Sequence, residues 1–183
     1  MKRYFIALNL PLEIKTVFKN IQDSLIQQNS DVKITWVDPH IAHINLHFLG
    51  DLSENEQNHL KQNLMAIKGK YGPISLALTG TGAFPSKENP RVLFLGVKHT
   101  GENNLITLYS DIAEILKKQS LQTEDRPFIA HITLGRIKEN NNKIKFSGEE
   151  MPDIEFKINS FELMTSVLTP DGPDYQIVES YNL

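Results

Sequence analysis

One tetrapeptide occurs twice, and the repeat restricts the fold more than any other feature. "HINL" at His43–Leu46 and "HITL" at His131–Leu134 stand 88 residues apart. In each, apolar and polar residues alternate with the period of a half-buried strand. Strict alternation puts Ile44, Leu46 and Phe48 on one face, and His43, Asn45 and His47 on the other. In the second copy, Ile132 and Leu134 oppose His131, Thr133 and Gly135. The expected arrangement is two related halves, each giving one strand whose apolar face is anchored in a core. The two polar faces then meet across a groove. The flanking patterns differ between the copies, which excludes a short-period solenoid.

Helical and strand patterns fill the rest of the chain. Pro11 to Asn29 reads as a helix, with Ile14, Val17, Phe18, Ile21 and Leu25 at helical spacing and Pro11 in the first turn. A second helix opens at "SENE", where Ser53 and Glu56 fit a capping box, and closes at Gly69. A third covers Glu102 to Gln119, with Lys117 and Lys118 at its negative dipole end. Strands are expected at Tyr4–Leu10, Ile74–Gly80, Arg91–Val97, Ile154–Ile158 and Phe161–Leu168, with a turn at "TPDGP", Thr169 to Pro173. This order predicts an α+β fold: two pseudo-symmetric antiparallel sheets, helices on the outer faces, and a central groove. No linker interrupts it, so residues 1–183 are expected to form a single two-lobed domain.

Composition removes several chemistries. Without a cysteine there is no thiolate nucleophile, disulfide or Cys-ligated zinc, which suits a reducing cytoplasm. The apolar run Tyr4–Leu10 is too short for a leader and contains Asn9, and no segment has the ~18 apolar residues of a membrane span. A net charge of −3 argues against broad grip on a phosphate backbone, so a nucleic-acid substrate should be small or held at one point. A zinc site at His43 and His47 is disfavoured, because along one strand they lie about 13 Å apart.

Two histidines with two short hydrogen-bonding side chains suit phosphodiester chemistry. A neutral imidazole can deprotonate water while an imidazolium protonates the leaving ribose oxygen. The ordinary histidine pKa near 6.5 keeps both forms accessible around neutrality. Thr133 Oγ1 and the Asn45 amide are placed to hold nonbridging phosphate oxygens.

These motifs resemble the two-histidine phosphoesterase superfamily, specifically the RNA 2′,3′-cyclic phosphodiesterases also called 2′-5′ RNA ligases. The hallmark is a pair of His-x-Thr-x motifs, and similar stretches extend over "RYFIALNLP", "GTGAFPSKENPRVLFLGV", "EDRPFIAHITLGR" and "SVLTPDGPDYQIVESYNL". The resemblance implies a bilobed fold and metal- and cofactor-independent opening of a ribose 2′,3′-cyclic phosphate to a 2′-phosphate. Reversible 2′-5′ ligation is implied as a side activity. It makes His43 and His131 the acid/base pair and Thr133 a phosphate-binding hydroxyl. Asn45 stands where the family has threonine, and Ile129–Ala130 where it often has Arg-Pro, so Arg126 or Arg136 is expected to supply the missing cation. His47 is expected to line the groove, and Ser166 and Tyr175 are minor candidates for shaping it. RNA ends or nucleotides bearing the cyclic phosphate are the expected partners of a cytoplasmic monomer, with no membrane contact. The alternative is a non-catalytic RNA-end or nucleotide-binding module, with Asn45 and Ile129 marking lost activity.

Overall fold

A computed structural model describes residues 2–102, 104–123, 126–138, 144–146, 154–169 and 172–183. Among the described residues, nine strands and three α-helices follow in the order β1 (Lys2–Asn9), α1 (Leu12–Gln28), β2 (Ile34–Trp36), β3 (His43–Gly50), α2 (Glu54–Met65), β4 (Ile74–Pro85), β5 (Pro90–His99), α3 (Asn104–Lys118), β6 (His131–Ile137), β7 (Ile154–Ile158), β8 (Ser160–Thr169) and β9 (Gly172–Asn182). The α+β, antiparallel expectation is met. The tip of the "TPDGP" turn, residues 170–171, lies outside the described residues.

The helices form for the reasons their sequences suggest. Ser53 Oγ accepts from the Glu56 N–H, and the Glu56 carboxylate accepts from the Ser53 N–H at 2.8 Å, closing the capping box of α2. That helix stops at Met65, short of Gly69, which sits at φ +74° in the following turn. In α1 the helical residues begin at Leu12, and the Pro11 carbonyl accepts from the Lys15 N–H. Leu105, Leu108, Ile112 and Leu116 give α3 its buried stripe.

The two expected sheets are continuous. The order is β7-β4-β5-β6-β3-β1-β8-β9, so one half holds β7, β4, β5 and β6, and the other β3, β1, β8 and β9. They join at the antiparallel pair Ile44–Ile132, after which β3 diverges. Beyond that point β2 pairs with β6 over residues 34–36, and buried Gln22 of α1 donates to the carbonyls of Val37 and Leu134 at 2.7 and 3.0 Å. The β2 strand has no counterpart among the expected elements.

Core-side residues of both halves, including Ile6, Leu8, Ile44, Leu46, Leu95, Ile132 and Leu134, merge with the buried stripes of all three helices into one cluster. The helices therefore cover one face of the sheet. The opposite face carries a separate small cluster of Phe5, Ala7 and Met164 under Tyr175. Tyr175 lies on edge strand β9, three strands from β3, or about 14 Å in a flat sheet. Its ring is nonetheless 5.4 Å from that of His43, so this face is concave.

Candidate active site

At the Ile44–Ile132 junction both isoleucines point into the core and are fully buried. Antiparallel order about that pair sets His43 beside Thr133 and Asn45 beside His131, all on the concave face. The four side chains that the repeated motif singles out thus converge around one point, related by the pseudo-twofold axis through the two isoleucines.

Each imidazole is held in the same way. His43 Nδ1 lies 2.8 Å from the carbonyl oxygen of Ile41, and His131 Nδ1 lies 2.7 Å from that of Ile129. A carbonyl only accepts, so each Nδ1 carries the hydrogen. Nε2 is therefore the ring nitrogen that is a lone pair when the ring is neutral and a donor when it is charged. Ile129, whose side chain is exposed, therefore serves His131 through its backbone. Aromatic rings brace both histidines: Phe5 and Tyr175 lie 5.2 and 5.4 Å from His43, Phe84 and Phe94 lie 5.0 and 5.6 Å from His131.

Burial lowers the His43 pKa below 6.5; the Ile41 carbonyl opposes this, while the charges of His131, Lys15 and Arg136 add to it. His43 is thus biased towards the neutral form. Burial raises the Tyr175 pKa, which keeps its hydroxyl protonated.

Four expectations fail, three of them for a shared reason. His47 does not line the groove: it is fully buried, its ring stacks on Tyr109 at 4.2 Å, and Nε2 donates to the Tyr109 carbonyl at 3.0 Å. Against β1, Asn45 pairs with Ala7 and His47 with Ile6, leaving Leu46 as an extra residue. This bulge turns His47 into the core and Phe48, expected on the apolar face, out to 50% exposure. Strand β6 repeats the device. Thr133 pairs with Phe94 and Gly135 with Leu93, leaving Leu134 extra. Gly135, expected beside Thr133, is therefore buried, and Arg136 emerges at the position equivalent to Phe48.

Arg126 is the fourth failure. It lines a concavity of about 520 Å³ with Tyr109, Ser110, Lys117 and Phe128, and none of His43, Asn45, His131 or Thr133 borders that space. Arg136 is a cation on the groove face, near enough for its charge to add to the lowering of the His43 pKa and to oppose the rise of the Tyr175 pKa. A hint of this is visible in the spacing, since Phe48 and Arg136 both follow their histidine by five residues. Tyr175 takes part through its contacts to His43 and Phe5. Ser166 pairs with Tyr175 across the β8–β9 ladder.

The Asn45 Oδ1 atom is buried and makes no hydrogen bond. A buried unpaired acceptor costs about 1–3 kcal/mol. Asn45→Thr should therefore keep or raise the melting temperature, and, by restoring the hydroxyl of the His-x-Thr-x pattern, keep or raise turnover. A tenfold or larger loss of turnover would show that the amide has a role a hydroxyl cannot fill. Among the described residues no group of three histidine, aspartate or glutamate side chains is placed to hold a metal ion, and no helix is long and apolar enough to cross a membrane.

Comparison with known proteins agrees with the internal symmetry. The model of the family described as "LigT like Phosphoesterase" matches the chain twice, over residues 8–94 and 95–175. The RNA 2′,3′-cyclic phosphodiesterase of Archaeoglobus fulgidus is 35% identical over 179 residues, covering 95% of this chain and 96% of its own. That of Thermotoga maritima is 31% identical over 178 residues, covering 96% and 92%. Among solved structures, a Thermus thermophilus protein superposes with a TM-score of 0.83 at 28% identity, covering 99% of this chain and 97% of its own. E. coli LigT complexed with 3′-AMP shares the fold, with a TM-score of 0.79 at 21% identity over 100% and 98% of the two chains.

Proposed function

The chain belongs to the LigT-like phosphoesterase family, and on that premise we propose that it opens 2′,3′-cyclic phosphates at RNA or nucleotide ends, leaving a 2′-phosphate. The observation that carries this reading is the pair of identically oriented imidazoles, each fixed through Nδ1 to the carbonyl two residues earlier and each beside the Ile44–Ile132 junction. Relatives bearing the name RNA 2′,3′-cyclic phosphodiesterase at about one-third identity over nearly the whole chain support an enzyme over a binding module.

The phosphorus sits over the Ile44–Ile132 junction. Neutral His43 Nε2 takes a proton from water, whose oxygen forms the new bond to phosphorus. The P–O3′ bond breaks as His131, charged, gives its Nε2 proton to O3′. Water and cyclic diester become a 2′-phosphomonoester and a free 3′-hydroxyl, and solvent resets the two protons. A 5′-hydroxyl in place of that water gives the 2′-5′ linkage by the same step, and the reverse reaction cleaves it. Thr133 Oγ1, Asn45 Nδ2 and the Arg136 guanidinium hold the nonbridging oxygens, where charge accumulates in the transition state. Phe48 offers its exposed ring to the base. Acid, base and charge stabilisation are then all supplied by side chains, so the reaction needs no metal. We place this activity in a monomer of one two-lobed domain in the cytoplasm.

Incubation with a 2′,3′-cyclic nucleotide and excess chelator should yield the 2′-phosphate; binding without product would overturn the reading. The acidic limb of kcat/KM should fall at an apparent pKa below 6.5, because catalysis fails once His43 is protonated and its pKa is lowered. Lys15 contributes to that lowering, and its ammonium donates to the His40 carbonyl. In Lys15→Gln the limb should move to higher pH; a limb that stays in place or moves lower would argue against His43 as the base.

A further inference from the structure

We propose that the concave face of the β1–β3–β8–β9 half carries a binding site for a second nucleotide, adjoining the catalytic histidines, so that the protein favours oligonucleotide ends over mononucleotides. The proposal rests on the cyclic-phosphodiesterase reading and names its substrate class. Its floor is one row across four strands: Phe48 pairs with Phe5, Phe5 with Met164, and Met164 with Ile177. Phe5 and Met164 are buried, whereas Phe48 and Ile177 are 50% and 58% exposed. Tyr175, two residues from Ile177 and on the same face, leans over Phe5 to His43. The result is an apolar band that starts at the reacting centre and ends at edge strand β9.

A cation flanks the band. Arg3 lies two residues from Phe5 on the same face of β1, pairs with Ser166, and is exposed; Ser166 in turn pairs with Tyr175. An apolar platform with one neighbouring guanidinium matches one base and one internucleotide phosphate. It also suits a chain of net charge −3, which cannot rely on a long cationic track. The band crosses four strands, from Phe48 on β3 to Ile177 on β9, so its outer end takes the penultimate base beyond the terminal one. The occupant is therefore the nucleotide on the 5′ side of the cyclic phosphate, its base on Tyr175 and Ile177 and its 3′-phosphodiester at Arg3.

Calorimetry with an RNA dinucleotide ending in a 2′-phosphate, the class of the product, and the matching 2′-mononucleotide tests this without turnover. The dinucleotide should bind about tenfold tighter to the wild type. Ile177→Ser and Arg3→Ala, both at exposed positions, should each remove most of that advantage and leave mononucleotide binding unchanged. Arg3→Ala should also flatten the salt dependence for the dinucleotide by about 0.7 in log–log slope. Equal affinity for the two ligands in the wild type would overturn the second site while leaving the catalytic reading standing. Absence of binding by either would remove both. A concentration-dependent dimer that Ile177→Ser dissolves would assign the band to a second copy of the chain and overturn the proposal.

Discussion

His131→Ala is expected to lower turnover of a 2′,3′-cyclic nucleotide by about 10²–10⁴-fold, and His43→Ala by a similar factor. The symmetry is the reason. Both rings are oriented through Nδ1 by the carbonyl two residues earlier, and both sit one residue before the isoleucines that join the halves. Neither ring is part of the helix-covered core, so the variants should fold. The double variant should be little worse than either single one, because acid and base act in the same step. Near-additive losses would mean that the two rings serve separate steps. A loss confined to one variant would return the second histidine to a structural role.

Arg136→Ala should be the next largest loss, about 10²–10³-fold in kcat. The guanidinium is the charged donor that the β6 bulge directs to the groove, and its field reaches both His43 and Tyr175. Arg136→Lys should recover only part of the rate, since an ammonium lacks the bidentate fork. The same substitution should shift the acidic limb of Arg136→Ala back towards that of the wild type, because Arg136 contributes to lowering the His43 pKa. Wild-type kcat in Arg136→Ala, with only KM raised, would confine the residue to ground-state binding.

The first four residues of each motif are legible by alternation alone: His43 and Asn45 against Ile44 and Leu46, His131 and Thr133 against Ile132 and Leu134. Strand period and residue polarity agree there. Beyond that point alternation misleads, because a bulge at Leu46 and another at Leu134 shift every later side chain to the other face. A bulge is defined by its partner strand, so no single-strand pattern announces it. His47 thus reads as a groove residue when it is a buried stacking partner of Tyr109, and Phe48 and Arg136 read as inward or incidental when they flank the site. The capping box at Ser53 and the apolar stripe of α3 are local signals, and both hold. Strand β2 is three residues long and ordered by β6 and Gln22, so its cause is tertiary. The brace of Phe84 and Phe94 around His131 likewise depends on the β4–β5 ladder.

The claim on which the mechanism depends is that both imidazoles address one phosphorus atom. A crystal structure with a uridine–vanadate complex, whose trigonal-bipyramidal centre mimics the hydrolytic transition state, tests it most directly. His43 Nε2 and His131 Nε2 should each lie within about 3 Å of opposite apical oxygens. Vanadate held by one histidine alone, with the other ring facing away from it, would contradict the account.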